Sequence, residues 1–396
     1  MSYWCDIITE TTLLVNWMNF FKTDLTFMAG HSILFLNYEI LYFRNNNYYD
    51  LRRSPMKAAV YKGEGKFKVE DVPLPELAPD QVLVKVKYCA ICGTDVHTVL
   101  YDVLEPDSVM GHEYCGTIAD IGKEVTKWKI GDRVVGGGGD SPPGVSYGIM
   151  GDPRFSYQQS LAQDQTSGAY AEYVCLQEWE PMSIPDEVSD RAAAMCEPCA
   201  IAVHAVRNSR MQVGDSVAIL GAGPVGLLCL QVAKAAGAGS VYVSEPAPAR
   251  RRTALELGAD EVIDPSTEDA VDRMISLTGG LGPHIVFECA AAKNTLDQGL
   301  TMARRFGQVV LVAIAWKPTS VLPVEWLGRE VEMKASASKT PEDWARALEL
   351  IRTGKVRMEP LLSDTSFVPL SNIQQSFESL FEPKGEVKIV VEPWAT

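Results

Sequence analysis

The chain has 396 residues, of which 46% are hydrophobic and 22% charged, and its formal net charge at pH 7 is −15. This length exceeds the size at which one hydrophobic core stops growing, so two domains are expected. The negative charge argues against nucleic acid or an anionic membrane as a partner and favours a small molecule. The nine cysteines are scattered along the chain, which favours a reducing, cytoplasmic compartment.

Residues 1–55 differ in composition from the rest of the chain. They are dense in aromatic residues, carry three consecutive asparagines at 45–47, and show no helix cap or turn pattern. Their apolar stretches are interrupted by polar residues and are too short to span a membrane. No Lys or Arg precedes Lys22, which disfavours a secretory signal. We therefore predict that residues 1–55 lie outside the fold and that the enzyme-like chain begins at Met56.

A β-rich region follows Met56. The segment 81–88 alternates valines with lysines and leucine, the pattern of a half-buried strand, and it leads directly into a cysteine-bearing loop. We predict a small barrel-like or Greek-key domain that comprises residues 56–206 and the returning segment 339–396. Its predicted strands are 56–61, 66–71, 81–88, 116–121 and 131–135.

From Asp215 the pattern changes to strands that alternate with helices. Such alternation predicts a parallel sheet that is covered by helices on both faces. We assign this second domain to residues 207–338. Its predicted strands are 217–220, 241–244, 285–288, 308–313 and 331–334, and a helix over 224–236 follows the first of them.

A glycine-rich turn joins the first strand of the second domain to its helix. It has the form Gly-x-Gly-x-x-Gly, and Glu245 ends the next strand about 20 residues later, as the dinucleotide-binding fingerprint requires. The glycines let a pyrophosphate approach the N–H groups at the positive end of the helix. A glycine-rich turn in an unrelated α/β protein is the alternative. The predicted cofactor-binding residues of this turn are Gly221, Gly223, Pro224, Val225 and Gly226.

Glu245 and the arginines after it bear on the choice of cofactor. A carboxylate at the end of the second strand accepts hydrogen bonds from the adenosine ribose and repels the 2′-phosphate of NADP, so it favours NAD. The run Arg250-Arg251-Arg252 could pair with that phosphate. We expect two of these arginines to face solvent and one to pack over the adenine, and we assign Arg250 to the cofactor site.

A metal site is predicted from Cys92, His112 and Glu113. Thiolate, imidazole and carboxylate are the donors that suit tetrahedral zinc. A hydroxyl at Thr94 and a second imidazole at His97 lie beside them in sequence, which indicates an open, catalytic metal with groups that handle protons. We favour Glu197 as a further ligand over its neighbouring cysteines, with Glu113 binding directly or exchanging with Glu197. Cys196 and Cys199 are the alternatives.

These motifs occur in the order found in a known family. The chain resembles the zinc-dependent medium-chain alcohol dehydrogenases over residues 56–396, and Glu197-Pro198 is most similar to the sorbitol, butanediol and threonine dehydrogenase branch. The resemblance implies a GroES-like catalytic domain, a Rossmann domain with a cleft between them, and a homo-oligomer, either dimer or tetramer. The motifs that carry it are Cys92-Gly-Thr-Asp-Val-His97, Gly111-His-Glu113, Gly131-Asp-Arg-Val134, Glu197-Pro198 and Gly221-Ala-Gly-Pro-Val-Gly226.

One departure from the family concerns a second zinc. Members of this branch often carry four closely spaced cysteines for a structural zinc, whereas no cysteine lies between Cys115 and Cys175 here. A Gly-, Pro- and Gln-rich loop over 136–169 takes their place. We predict one catalytic zinc per subunit and no structural zinc, and because that lobe often supports subunit contacts, the oligomeric state stays open.

The expected reaction is the reversible NAD-dependent oxidation of a secondary alcohol, such as a polyol, a diol or a hydroxy compound. In the relay that the resemblance implies, Thr94 accepts the alcohol proton and passes it through the cofactor ribose to His97 and solvent. Glu113 is assigned to the catalytic set as well as to the metal. Two rivals are a zinc-free enoyl or quinone reductase of the same fold and a non-catalytic nucleotide-binding protein.

Overall fold

The computed structural model describes residues 31–36, 39–44, 47–50, 55–139, 168–381 and 387–395. The chain divides into two compact units, Met1–Ser54 and Pro55–Thr396. Among the described residues, no helix is long and apolar enough to cross a membrane. Most of the loop predicted at 136–169 lies outside the described residues.

The first unit contains a three-stranded antiparallel sheet that the sequence pattern does not predict. Its strands follow one another in the order β1-β2-β3, so that each pairs with its neighbour in the chain. Their continuous apolar runs lack the strict alternation that marks a half-buried strand, which explains the omission. The strands are β1 (His31–Leu36), β2 (Glu39–Arg44) and β3 (Asn47–Asp50).

The second unit begins with the predicted β-rich region. One sheet has the order β10-β8-β7-β6-β18-β17, in which β17 (Phe367–Pro369) and β18 (Val390–Glu392) belong to the C-terminal segment. Strand β9 also pairs with β6, and β4 and β5 form a separate hairpin. In β6 the valines at 82, 84 and 86 are buried and the lysines at 85 and 87 are exposed, as alternation predicts. The strands of this region are β4 (Met56–Tyr61), β5 (Phe67–Val72), β6 (Gln81–Ala90), β7 (Glu113–Ile121), β8 (Arg133–Val135), β9 (Tyr173–Gln177) and β10 (Met182–Ser183).

The alternating region forms a six-stranded, wholly parallel sheet in the order β13-β12-β11-β14-β15-β16. This order is the doubly wound arrangement, and the predicted fold class is confirmed. The strand β13 was missed because three residues are too few for a periodic signal. The strands are β11 (Ser216–Leu220), β12 (Ser240–Ser244), β13 (Glu261–Ile263), β14 (Ile285–Glu288), β15 (Gln308–Leu311) and β16 (Glu332–Ala335).

After this sheet the chain returns to the β-rich region. Strand β18 pairs antiparallel with β6, where Val390 faces Ala90, and β17 pairs with β18. These last strands are β17 (Phe367–Pro369) and β18 (Val390–Glu392). The helices are α1 (Gly93–Leu100), α2 (Asp190–Ala193), α3 (Cys196–Asn208), α4 (Pro224–Ala235), α5 (Pro248–Glu256), α6 (Ala270–Leu277), α7 (Thr295–Met302), α8 (Pro323–Leu327), α9 (Pro341–Arg352) and α10 (Ile373–Phe381).

Helices α3 and α9 are joined by a buried carboxylate. Asp343 in the first turn of α9 is fully buried; it accepts a hydrogen bond from Arg207 Nη1 at 2.5 Å, and its Oδ2 lies 2.8 Å from His204 Nδ1. Both partners belong to α3. Asp343 also forms a capping box with Thr340, so one residue starts α9 and holds it against α3.

We expect the second unit to fold without the first. Because β4 begins at Met56 and the unit contains its own cores, a chain that starts at Met56 should remain soluble, unfold cooperatively and bind nicotinamide cofactor with the affinity of the full chain. Circular dichroism during thermal unfolding and cofactor titration would check this. An insoluble shortened chain would show that residues 1–55 are needed for the fold.

Candidate functional site

Cys92 lies between the end of β6 and the start of α1, where it caps the helix. Its Sγ accepts a hydrogen bond from Thr94 N at 3.4 Å, and the Asp95 carboxylate accepts one from Cys92 N at 3.1 Å. This reciprocal pair is a capping box with cysteine in the position usually held by serine or threonine. The sulfur is thereby fixed at the N-terminal end of a helix. Burial raises the pKa of the Cys92 thiol, and His112 only partly opposes the shift.

His112 and Glu113 reach Cys92 because Gly111 precedes them. Gly111 has φ +106°, and a Cβ there would lie 2.8 Å from Cys89 Sγ and 2.9 Å from Tyr170 N. Only glycine therefore fits this close approach. Among the residues that the structure describes, the donor atoms of Cys92, His112 and Glu113 form one group in which all lie within 4.8 Å of one another.

Asp95 orients the His112 ring through a contact with its Nδ1 atom. Its Oδ1 lies 3.3 Å from His112 Nδ1, and its Oδ2 accepts a hydrogen bond from Tyr170 OH at 2.6 Å. Burial opposes the ionisation of Asp95, but His112, Tyr170 and the Cys92 N–H outweigh it and lower the pKa of this carboxyl. A carboxylate on Nδ1 leaves Nε2 as the donor for a metal, the arrangement typical of metal-binding histidines.

Two lysines bind the two glutamates of the site. Lys388, which precedes β18, forms a buried ion pair with Glu113, and Lys339, which precedes α9, forms one with Glu197. Burial opposes the ionisation of Glu197, but Lys339 outweighs it and lowers the pKa of this carboxyl. The group of three donors found among the described residues does not include Glu197.

The donor set fits zinc. A thiolate, a neutral imidazole and a carboxylate match the ligand types of this ion, and together they would balance its 2+ charge. The Asp95 contact supplies the outer support that such sites need. Three protein donors, compared with the four of a structural site, leave room for a substrate.

His97 lies on α1, packed against aromatic rings. Its ring centroid is 6.2 Å from that of Tyr101 and 6.0 Å from that of Trp316, and the latter two rings stack at 5.6 Å. Burial lowers the pKa of His97, and the hydrogen bond to Gly93 only partly opposes the shift. A histidine with a lowered pKa is neutral at pH 7 and can accept a proton. Thr94 lies on the same helix, one turn closer to Cys92.

The glycine-rich turn shows why two of its glycines are required. Gly221 has φ +93°, and a Cβ there would lie 2.9 Å from Ala290 Cβ; a Cβ on Gly226 would lie 1.9 Å from the Gly221 carbonyl oxygen. A Cβ on Gly223 would meet no atom within 4 Å, which leaves space beside the turn for a pyrophosphate. Pro224 and Val225 open helix α4 immediately afterwards.

Glu245 follows β12, and its carboxylate is fixed beside this turn. Oε2 accepts a hydrogen bond from Ala222 N at 2.7 Å and Oε1 accepts one from Ala247 N at 2.9 Å, and the residue is 4% exposed. Each oxygen keeps a lone pair that can accept a ribose hydroxyl. The role of Glu245 in ribose binding stays a prediction.

The arginines that follow Glu245 differ in their surroundings. Arg251 donates to the Glu245 carbonyl at 2.8 Å and forms an ion pair with Asp264 at 2.7 Å. Arg252 is exposed and Arg250 is half-buried. Arg251 is therefore engaged within the protein and is not arranged to receive a phosphate.

Several residues of this site were not anticipated from the sequence. Asp95 had a local signal, because an acidic residue three positions after a helix cap is typical of a capping box. Trp316, Lys339 and Lys388 had none, since they contact the site from segments more than a hundred residues away in the chain.

The structure combines a parallel sheet that carries a glycine-rich turn with a β-rich region that carries an open metal-donor group. This combination is typical of two-domain dehydrogenases that use a metal and a nucleotide. Family models agree: residues 78–186 match the alcohol dehydrogenase GroES-like domain and residues 224–353 match the zinc-binding dehydrogenase domain. The chain belongs to the zinc-dependent medium-chain alcohol and polyol dehydrogenases.

The matches to individual relatives extend over nearly the whole length of each relative. A sorbitol dehydrogenase of Halalkalibacterium halodurans is 35% identical over 85% of this chain and 99% of its own. The (R,R)-butanediol dehydrogenase of Bacillus subtilis is 33% identical over 85% and 100%. Its crystal structure superposes with a TM-score of 0.73, covering 85% of this chain and 99% of that one, at 30% identity. A Sinorhizobium meliloti dehydrogenase described as zinc-binding and bound to NADP has a TM-score of 0.74, 32% identity and coverage of 86% and 100%.

The family confirms the predicted activity at its coarse level. The protein is an enzyme that interconverts alcohols and carbonyl compounds, and it uses zinc and a nicotinamide cofactor. The zinc-free reductase and the non-catalytic protein are not favoured. Its substrates are small alcohols.

Proposed function

We propose that this enzyme oxidises a secondary alcohol, of the polyol or diol class, with NAD and a single catalytic zinc. The observation that carries the proposal is the group of Cys92, His112 and Glu113, whose donor atoms lie within 4.8 Å of one another. When bound, zinc supplies a Lewis acid that lowers the pKa of the alcohol hydroxyl. The names of the relatives support a polyol or diol as the substrate class.

The protein's own residues prepare the site and move the proton. Asp95 holds His112, and Lys388 forms an ion pair with the buried Glu113, although burial still raises the pKa of that carboxyl. Thr94 is the first proton acceptor; it passes the proton through the cofactor ribose to His97, which delivers it to solvent. The lowered pKa of His97 supports this role, because the ring is neutral at pH 7.

The purified full chain should bind about one zinc per subunit and form NADH when given polyols or diols. A panel of polyols, diols, amino alcohols and simple alcohols, tested with both nicotinamide cofactors, would identify the class. Cys92→Ala should lose both metal and activity because it removes the thiolate. Cys175→Ala, on β9 outside the donor group, is the matched control and should retain both. Two zincs per subunit, or turnover without metal, would contradict the proposal.

His97→Gln should slow alcohol oxidation near neutral pH by about 10- to 100-fold, because glutamine cannot accept the proton. Activity should recover at high pH or in concentrated buffer base, where solvent species replace the imidazole. A pH profile of kcat measures the effect. His284→Gln, at a histidine of the parallel-sheet region, should leave the profile unchanged. An unchanged profile in His97→Gln would rule out the relay.

We expect NAD to be preferred over NADP, because the fixed Glu245 carboxylate would face the 2′-phosphate at close range. If repulsion costs about 2 to 3 kcal/mol, the preference in kcat/KM is about 30- to 150-fold. Glu245→Ser should reduce or reverse it. Glu256→Ser, an exposed glutamate of α5, is the control. Equal use of both cofactors by the unmodified enzyme would show that Arg250 and its neighbours outweigh the carboxylate.

The proposal extends to assembly and compartment. Leu322, Val324 and Leu327 around α8 and Met333 on the edge strand β16 are each at least half exposed, and these apolar side chains support association of copies into a dimer or tetramer. Light scattering that finds only a 43.4-kDa species would contradict this.

The eight described cysteines are all free, which supports the proposed cytoplasmic compartment.

A further inference from the structure

Lys339 brings a positive charge from the end of the parallel-sheet region to the metal group. Its ammonium forms an ion pair with Glu197, whose side chain is 6% exposed. The same ammonium lies 5.6 Å from the centre of the Trp344 ring, within range of a cation–π contact. Two groups therefore hold its head group in place.

The helices that carry this pair are fixed to each other. Glu197 lies in the first turn of α3, and Lys339 immediately precedes Thr340, the cap of α9. The buried Asp343 joins the two helices through His204 and Arg207. The pair thus differs from a mobile surface ion pair, because both backbones are held by the same buried carboxylate.

The two glutamates of the site differ in their position relative to the metal-donor group. Glu113 is paired with Lys388, yet its carboxylate stays within 4.8 Å of the Cys92 and His112 donor atoms. Glu197 is paired with Lys339, and its carboxylate is outside that group. If Lys339 lost its charge, the buried Glu197 would lose the cation that its carboxylate contacts, and Lys388 would remain paired with Glu113. The metal would then be the cation free to bind Glu197.

We propose that Lys339 is a positioning residue that keeps Glu197 from coordinating the metal. A catalytic zinc needs a position that no protein ligand fills, whereas four protein ligands close the site. By retaining Glu197, Lys339 leaves that position for the substrate. The inference rests on the proposed function, since it assumes that Cys92, His112 and Glu113 hold zinc.

The first test is Glu197→Gln in the full chain, with zinc affinity measured by chelator competition. If Lys339 keeps Glu197 off the metal, the affinity should stay within about threefold of the unmodified enzyme. If Glu197 is a ligand, its removal should weaken binding by about 10- to 100-fold or more, as losses in and around metal sites do. That second result would overturn the inference.

The second test is Lys339→Met, which removes the charge and keeps an unbranched side chain over Trp344. Zinc affinity should rise by about 10- to 100-fold, kcat should fall, and the visible absorption of the cobalt-substituted protein should change as its ligand set changes. Lys339→Arg should retain the original spectrum. The double variant Lys339→Met/Glu197→Gln should have the original spectrum, because the carboxylate that Lys339→Met releases is absent. Lys317→Met, which removes a lysine near Tyr101, is the matched control.

These results separate the inference from the proposed function. Absence of zinc and of alcohol oxidation in the unmodified enzyme would refute the proposed function. A zinc-containing, active enzyme whose cobalt spectrum and metal affinity do not change in Lys339→Met would refute the role of Lys339 alone. Should Lys339→Met fail to fold, Lys339→Gln, which also removes the charge, replaces it in the same measurements of zinc affinity and cobalt spectrum.

Discussion

The buried carboxylate of Asp95 supports the metal group. It accepts hydrogen bonds from Cys92 N and Tyr170 OH and faces His112 Nδ1, so it joins the start of α1 to His112 and to Tyr170, which lies 75 residues further along the chain. These partners lower its pKa in spite of its burial, because together they replace the hydration that the carboxylate loses. Since hydrogen bonds are directional, a displacement of Asp95 would move the sulfur and the imidazole together.

Two lysines from the C-terminal part of the chain form ion pairs with the glutamates of the site. Lys339 and Lys388 enter only after the parallel sheet has been traversed, the first before α9 and the second before β18. Their ion pairs depend on α9 packing against α3 and on β18 pairing with β6. A buried carboxylate without such a partner would be costly, so the returning segment stabilises the charges that a metal site requires.

Much of the fold and the donor group could be predicted because the signals are local. Alternation in β6 and the strand-helix periodicity after Asp215 indicated the two sheets, and the spacing of Gly221, Gly223 and Gly226 indicated the cofactor turn. The short strand β13 was missed for lack of periodicity. The strands of the first unit were missed because continuous apolar runs do not distinguish a strand from a helix.

By itself, the sequence determined the chemical groups of the predicted metal and dinucleotide sites: a thiolate, an imidazole and carboxylates beside a hydroxyl, and glycines with an acid at the end of a strand. Only the tertiary structure decided which of the two glutamates lies with the metal donors. Glu113 stays with Cys92 and His112, whereas Glu197 is bound by Lys339. The reason is physical: the partners lie 142 residues apart in the chain, and only the packing of α3 against α9 brings them together.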